Sequence, residues 1–184
     1  EQPLSSSNYG KIINEKHFNR ISGLIDKNKV VFGGQTDSET LQISPTVMDH
    51  VTYEDKVMQE EIFGPIMPIL TYDSLDELIH KINSMPHPLA LYFFTRDKVA
   101  ARKVTSQCQF GGGCINDTII HLATSEMPFG GFGESGMGGY HGREGFRTFS
   151  HYKSIVDKKT WLDLPMRYQP YKRINDKLIH FFLK

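Results

Sequence analysis

The residues best suited to chemistry in this sequence stand in the segment Glu60-Glu61-Ile62-Phe63-Gly64-Pro65. Glu60 and Glu61 are adjacent, so their side chains diverge in a strand or a helix, and at most one carboxylate enters a common cleft. A carboxylate two residues before an aromatic ring suits a nucleotide ribose, because it can accept both hydroxyls of a vicinal diol while the ring lies beside the base. The alternative is a solvated turn, since Gly64-Pro65 is an ordinary chain breaker.

Phe129 is a second candidate, within Met127-Pro128-Phe129-Gly130-Gly131. An aromatic ring directly before two glycines is expected in the core unless it contacts a ligand or belongs to a turn. Glycine makes up eight of the sixteen residues 130–145. Such a backbone can adopt positive φ or lie close to a ligand, so we expect an ordered loop there and no helix.

Part of this loop, residues 131–136, satisfies the dinucleotide fingerprint Gly-x-Gly-x-x-Gly, and Asp157 lies about twenty residues further on. We reject the fingerprint because Glu126-Met127-Pro128 is not an apolar strand and Gly138-Gly139 does not open a helix. Nucleotide binding by the loop alone remains an alternative.

The two cysteines are weak candidates for a nucleophile. Cys108 falls at a helix end, where the helix dipole raises a thiol pKa, and Cys114 stands among Gly and Ile as a small core residue would. We interpret both as buried structural thiols. His121, His141 and His151 lie 20 and 10 residues apart, which fits no helical pair of ligands, so we predict structural histidines and no metal site.

Several blocks together resemble the aldehyde dehydrogenase superfamily, and its class 3 branch in particular. They are Gln59–Pro65, Pro88–Phe94, Asn116-Asp117, Pro128–Gly131 and Ser135–Gly142, and the resemblance runs from about Asn8 to about Lys153. It implies that Glu61 holds the nicotinamide ribose of NAD or NADP by its hydroxyls and that Phe63 packs near the same moiety. It also implies that Phe129 lines the substrate passage.

The activity implied by the resemblance is oxidation of aldehydes to carboxylic acids through a cysteine thiohemiacetal. The Gly-Gln-Thr-Cys-like setting of the family's nucleophile and its general-base Glu have no match here, so we expect no catalytic residue in this chain. The sequence begins Glu1-Gln2-Pro3 without Met. We therefore expect a C-terminal part that lacks the cofactor domain and is inactive alone. The alternative is a catalytically inactive α/β scaffold whose role is oligomerisation.

The composition limits the kinds of binding partner and the cellular compartment that we expect for this protein. Lys plus Arg and Asp plus Glu both number 21, so the net charge is zero and no nucleic-acid partner is expected. Two cysteines without a Cys-x-x-Cys motif suit a reducing compartment. No secretion leader and no apolar run of roughly 18 residues is found, so we expect a soluble, cytoplasmic protein.

The sequence predicts helices and strands that alternate along the chain, and these elements must position the candidate residues. Apolar spacing predicts a helix within 8–26, Ser74-Leu75-Asp76-Glu77 has the form of a capping box before a second helix, and Asp97 can cap a third. Short apolar runs at 29–32, 41–48, 66–72, 89–94 and 111–115 predict strands, the second made irregular by Pro45. This alternation predicts an α/β domain with a parallel sheet and helices on both faces.

We divide the chain into a catalytic-domain part at 1–150, an oligomerisation strand at 151–157 and a tail at 158–184. The resemblance implies that the strand joins the sheets of two subunits in a homodimer. The tail has the pattern of a basic amphipathic helix, too short to span a bilayer, which either packs on its own enzyme or a twin subunit or contacts a membrane surface weakly. Its apolar and basic residues are Tyr171, Ile174, Leu178, Phe181, Phe182, Lys172, Arg173, Lys177 and Lys184.

Overall fold

The computed structural model describes residues 3–164, 167–170 and 173–182. In these ranges the α-helices are α1 (Glu15–Ser22), α2 (Leu75–Asn83), α3 (Lys98–Gln107), α4 (Gly142–Thr148) and α5 (Arg173–Phe182). The strands are β1 (Val30–Phe32), β2 (Thr36–Asp37), β3 (Gln42–Ile43), β4 (Thr46–Met48), β5 (Ile66–Pro68), β6 (Ala90–Phe93) and β7 (Gly112–Ile115). The mixed α/β class predicted from the sequence is confirmed.

A three-stranded sheet in the order β1-β4-β5 carries the first candidate segment. Strand β1 pairs antiparallel with β4, and β4 pairs parallel with β5 from Thr46↔Ile66 to Met48↔Pro68. Its buried core is shared with α1 through Phe18 and Ile21. Because β5 begins at Ile66, residues 59–65 form the loop that enters this sheet next to α1.

A second, two-stranded sheet carries the other candidate. Strands β6 and β7 run parallel, from Ala90↔Gly112 to Phe93↔Ile115, and α3 is the crossover between them. The alternation of strand and helix thus forms the parallel unit that the sequence predicts. The two strands are close: a Cβ added to Gly113 would lie 1.9 Å from the carbonyl oxygen of Leu91, so only glycine fits there.

Local capping explains where the helices begin. Helix α1 starts only at Glu15 within the predicted range 8–26, because the Asn14 side chain accepts the amide of His17 at 2.9 Å and so ends the irregular segment before it. The Ser74 hydroxyl accepts the amide of Glu77 at 3.4 Å and caps α2 as predicted. Asp97 caps α3 as predicted, and Pro45 separates β3 from β4.

The expectation that 130–145 contains no helix is wrong at two places, the 3-10 helix Gly133–Ser135 and the end of the range. Helix α4 begins at Gly142, which adopts φ 45°, and continues through residues that are no longer glycine-rich. Glu144 lies in its first turn and pairs with Arg147 at 2.7 Å, an i,i+3 ion pair that favours the helix.

Residues 151–157 take part in no strand pairing in the described part of this single chain. Tyr152, Ile155 and Val156 are all more than three-quarters exposed. A strand that joins two subunits obtains its hydrogen bonds from a second copy, so the oligomerisation strand stays a prediction.

The tail forms helix α5, with Ile174 and Phe181 exposed on it. Tyr171, Lys172 and Lys184 lie outside the described residues. No helix among those described combines the length and apolar character needed to cross a membrane.

The cap of α3 yields a stability prediction. The Oδ1 atom of Asp97 accepts the amides of Val99 at 2.7 Å and Ala100 at 3.2 Å. We expect Asp97→Ala to lower the free energy of unfolding by about 1 kcal/mol, since two amides in the first turn lose their acceptor. Urea unfolding followed by circular dichroism measures it. Asp97→Asn, which keeps an oxygen at the same place, is the matched control and should cost clearly less; equal losses in both variants would contradict the role of the cap.

Candidate functional site

The loop before β5 separates its two carboxylates. Glu60 Oε1 accepts a hydrogen bond from Arg20 Nη1 at 3.1 Å and forms an ion pair with it. The side chain of Glu61 is exposed and has no hydrogen-bond or ion-pair partner in the described part of the chain. Both residues lie in a loop, in neither a strand nor a helix, so the expected divergence stays a prediction, and Glu61 carries the carboxylate that remains available to a ligand.

Arg20 also holds the main chain of this loop. From the last turn of α1, its Nη1 donates to the carbonyl oxygen of Glu61 at 3.2 Å and its Nη2 donates to that of Ile62 at 2.8 Å. A planar guanidinium that binds a carboxylate and two carbonyls together fixes their relative geometry. Sequence reasoning missed Arg20, because nothing in a helical pattern signals a partner forty residues away.

Phe63 is turned outward from the same loop. Its φ of 47° lies in the left-handed region, which is uncommon for an aromatic residue, and its side chain is 82% exposed. Next to it, a Cβ added to Gly64 would come within 2.9 Å of the Ile21 side chain. The loop is thus pressed against α1 at Gly64, while the ring of Phe63 faces solvent in a strained conformation of the kind found at functional sites.

Phe129 follows β7 along the chain and is half-buried. Its backbone exchanges two hydrogen bonds with Tyr140, at 2.9 and 2.8 Å, and its ring contacts the rings of Tyr140, His121 and His141 at centroid distances of 5.9, 6.0 and 6.3 Å. An open cavity of about 310 Å³ lies between Phe129 and the glycine-rich loop. This ring is therefore held by other aromatic side chains beside a space that a ligand could enter.

The predicted cofactor-binding residues, Glu61 and Phe63, are not brought into contact with the predicted substrate-binding residue, Phe129. No hydrogen bond or ring contact joins Glu61 or Phe63 to Phe129 among the described residues. Residues 131–136 form a turn closed by the Ser135 hydroxyl on the backbone of Phe132, and this is not the strand-to-helix junction that a dinucleotide fingerprint requires.

The thiols and histidines occupy different settings from one another. Cys108 is buried at the end of α3, and this burial raises the pKa of its thiol, as expected of a structural cysteine. The expectation that Cys114 is a buried core residue is wrong, because it is half-buried on β7 with its Sγ 3.6 Å from His121 Nδ1. His121 itself is buried, His141 Nδ1 lies 3.0 Å from the Met127 carbonyl oxygen, and His151 is exposed.

Nothing in the described ranges, 3–164, 167–170 and 173–182, groups three His, Cys, Asp or Glu side chains so that they could hold a metal ion.

Comparison with known proteins gives a consistent result. Residues 1–155 match the model of the aldehyde dehydrogenase family. The chain is 50% identical over 169 residues to the 4,4'-diaponeurosporen-aldehyde dehydrogenase of Staphylococcus aureus. The matched region covers 91% of this chain and 37% of that protein. It is 46% identical over 158 residues to the dimeric NADP-preferring aldehyde dehydrogenase of Rattus norvegicus, covering 86% of this chain and 35% of the relative.

Solved structures agree with the sequence comparison. A substrate-bound structure of Staphylococcus aureus AldH superposes with a TM-score of 0.83 at 49% identity, over 98% of this chain and 40% of the other. A Mycobacterium tuberculosis aldehyde dehydrogenase complexed with NAD+ gives 0.72 at 31% identity, over 84% of this chain and 33% of that one. The chain thus spans little more than a third of the length of these relatives, and it belongs to the aldehyde dehydrogenase family.

Proposed function

We propose that this chain is the C-terminal part of an NAD- or NADP-dependent aldehyde dehydrogenase that oxidises aldehydes to carboxylic acids. The family membership of residues 1–155 supports the reaction, and the one-third coverage of the relatives supports a partial chain. The nucleophilic cysteine that forms the thiohemiacetal would lie outside this chain, because neither Cys108 nor Cys114 stands in the setting typical of it.

The single observation that carries the cofactor role is the unpaired carboxylate of Glu61 beside the outward ring of Phe63. Both fit a nicotinamide nucleotide: a carboxylate accepts the two hydroxyls of a ribose, and an exposed ring offers a flat apolar face to the adjoining moiety. When bound, the nicotinamide accepts a hydride from the substrate. The role of this chain is to orient that cofactor through Glu61 and Phe63, with Arg20 keeping their loop in place.

We further propose that Phe129 walls the substrate passage. Its ring is held by Tyr140 and His121 and lines an open cavity, which suits contact with an apolar aldehyde chain. A ring fixed by its neighbours loses little side-chain entropy when a substrate packs on it.

We propose a homodimer through residues 151–157, a cytoplasmic location, and a tail that either packs on its own enzyme or a twin subunit or makes weak contact with a membrane surface. The exposed apolar side chains Tyr152, Ile155 and Val156 support the first, since an edge strand with such side chains is stabilised by a second copy. A relative named as dimeric, from Rattus norvegicus, is in keeping with it.

Two other functions remain to be distinguished by experiment. A catalytically inactive oligomerisation scaffold would sediment as a defined oligomer and bind no cofactor, even when joined to the missing part. Nucleotide binding by the glycine-rich loop alone would give heat in a calorimetric titration of this chain with NAD. No observation on the described residues supports either function as directly as the unpaired carboxylate of Glu61 supports cofactor binding.

The cofactor role predicts the effect of one isosteric change. This chain would replace the corresponding C-terminal part of the Staphylococcus aureus relative, and Glu61→Gln would be compared with Glu60→Gln in the chimera. We expect Glu61→Gln to raise the KM for NAD(P) about tenfold, since a charge-assisted hydrogen bond contributes roughly 1.5–3 kcal/mol and 1.4 kcal/mol is a factor of ten. Unfolding midpoints should stay unchanged. Equal kinetics for both variants would remove the ribose role of Glu61.

Arg20 predicts a second kinetic effect in the same chimera. Arg20→Met keeps the length of the side chain on α1 but loses both bonds to the carbonyl oxygens of Glu61 and Ile62. We expect the KM for NAD(P) to rise several-fold with a smaller change in the KM for the aldehyde. Glu60→Gln is the control, because it removes the ion pair and leaves the carbonyl bonds intact. A Met variant with unchanged cofactor kinetics would show that the loop keeps its shape without Arg20.

The proposal that the nucleophile and the cofactor domain lie outside this chain gives a third prediction. The purified chain alone should oxidise no simple aldehyde with NAD or NADP, measured as nicotinamide absorbance, because it holds neither nucleophile nor cofactor domain. The chimera assayed in parallel is the positive control. Turnover by the isolated chain, abolished by Cys114→Ser, would place the nucleophile within it and overturn the proposal.

A further inference from the structure

Cys114 and His121 form a thiol–imidazole pair that the proposed function does not use. Cys114 lies on β7, and its Sγ is 3.6 Å from Nδ1 of His121, which belongs to the 3-10 helix Ile120–Leu122. The cysteine is half-buried and so remains open to small reagents, whereas the histidine is 6% exposed. A base within hydrogen-bonding reach of a thiol is the arrangement that activates sulfur nucleophiles.

A strained turn places the imidazole over the sulfur. Between β7 and the 3-10 helix, Asn116 and Ile119 adopt φ of 59° and 65°, and the β-branched Ile119 rarely takes this conformation. The turn folds His121 back over β7, where Gly112 leaves it room: a Cβ at that position would lie 3.0 Å from the imidazole Cδ2. The cost of the strain is offset by the contacts that His121 makes on this face.

Among the described residues, the ring of His121 has one hydrogen-bonding neighbour. Its Nδ1 faces Cys114, and its Nε2 is buried without a hydrogen-bond partner in the described part of the chain. The rings of Tyr92 and Phe129 lie at 5.7 and 6.0 Å on the remaining sides. A buried ring nitrogen without a partner is unfavourable, so its persistence here needs an explanation beyond packing.

We propose that Cys114 is a second reactive thiol, alkylated by α,β-unsaturated aldehydes with His121 as the proton acceptor. The sulfur would bond to the β-carbon of the alkene while its proton passes to Nδ1 of His121. The alkene π-electrons move onto the α-carbon and carbonyl as an enolate, which takes the proton back from His121 at the α-carbon. The product is a saturated aldehyde joined to Cys114 by a thioether, and no oxidant or reductant is consumed.

The location of the pair favours this class of electrophile. The ring of His121 contacts both the Cys114 sulfur, at 3.6 Å, and the ring of Phe129, the side chain proposed to wall the substrate passage. A soft, polarisable sulfur prefers a conjugated carbon to a simple carbonyl. The choice of an aldehyde as the carrier of the alkene rests on the proposed function, whereas the reactivity of the thiol does not.

Cys108 provides an internal control in the same molecule. It is buried at the end of α3, burial raises the pKa of its thiol, and no histidine contacts it among the described residues. Burial also shields Cys108 from reagents, so its rate gives the background of a protected thiol, while Cys114 in the unfolded chain is the reference for the same thiol without its histidine.

The experiment treats the folded chain with crotonaldehyde at neutral pH, fixes the adducts with borohydride and measures each thiol by peptide mass spectrometry. We expect Cys114 in the folded chain to react at least about tenfold faster than the same thiol in the guanidinium-unfolded chain, since a positioned base contributes about 10²–10⁴-fold. Cys108 should react more slowly folded than unfolded, because it is buried. A rate at Cys114 no higher in the folded than in the unfolded chain would overturn the proposal. This readout requires no dehydrogenase activity, so it can fail or succeed independently of the proposed function.

A further variant tests the part of His121. His121→Gln, checked for an unchanged unfolding midpoint, should lower the rate at Cys114 about tenfold or more, and an unchanged rate would contradict the base role. If that variant does not fold, the rate at Cys114 in the folded unaltered chain, compared with the same thiol in the unfolded chain, decides, and equal rates would overturn the proposal.

Discussion

One guanidinium sets the geometry on which the candidate cofactor site depends. Arg20 binds the carboxylate of Glu60 and the carbonyl oxygens of the next two residues, so it decides which of two adjacent glutamates is neutralised and which stays available. Three acceptors on one rigid fork leave the loop few alternative conformations. Close packing of Ile21 against Gly64 acts in the same direction. The helix that provides both residues therefore does more than cover a sheet.

Two of the three described sheets divide the proposed work between them. The loop before β5 presents a carboxylate and a ring, while the segment after β7 presents an aromatic cluster around Phe129. These surfaces make no ring contact or hydrogen bond with each other in the described part of the chain. Such an arrangement is expected of surfaces that another part of a larger protein completes, which agrees with the share of the relatives that this chain spans.

Local signals in the sequence were sufficient for much of the fold. The caps of α2 and α3 follow from Ser74 and Asp97, because a side-chain oxygen at an N-cap acts on amides two or three residues away. By contrast, the Arg20 contacts and the pairing of Cys114 with His121 depend on tertiary approach and on positive φ at Ile119, which no periodicity encodes. Helix α4 was missed because glycine content outweighed the helix-forming residues that follow Gly142.

The backbone of Phe63 has a consequence for how this family member could change. A phenylalanine held at φ 47° is less favourable than a glycine or an asparagine in the same place, and its exposed ring contributes little to the core. Variants chosen only for heat resistance would therefore tend to lose the aromatic ring at this position. Under the proposed cofactor role of Phe63, variants chosen for turnover would instead keep it, so durability and activity would select opposite amino acids there.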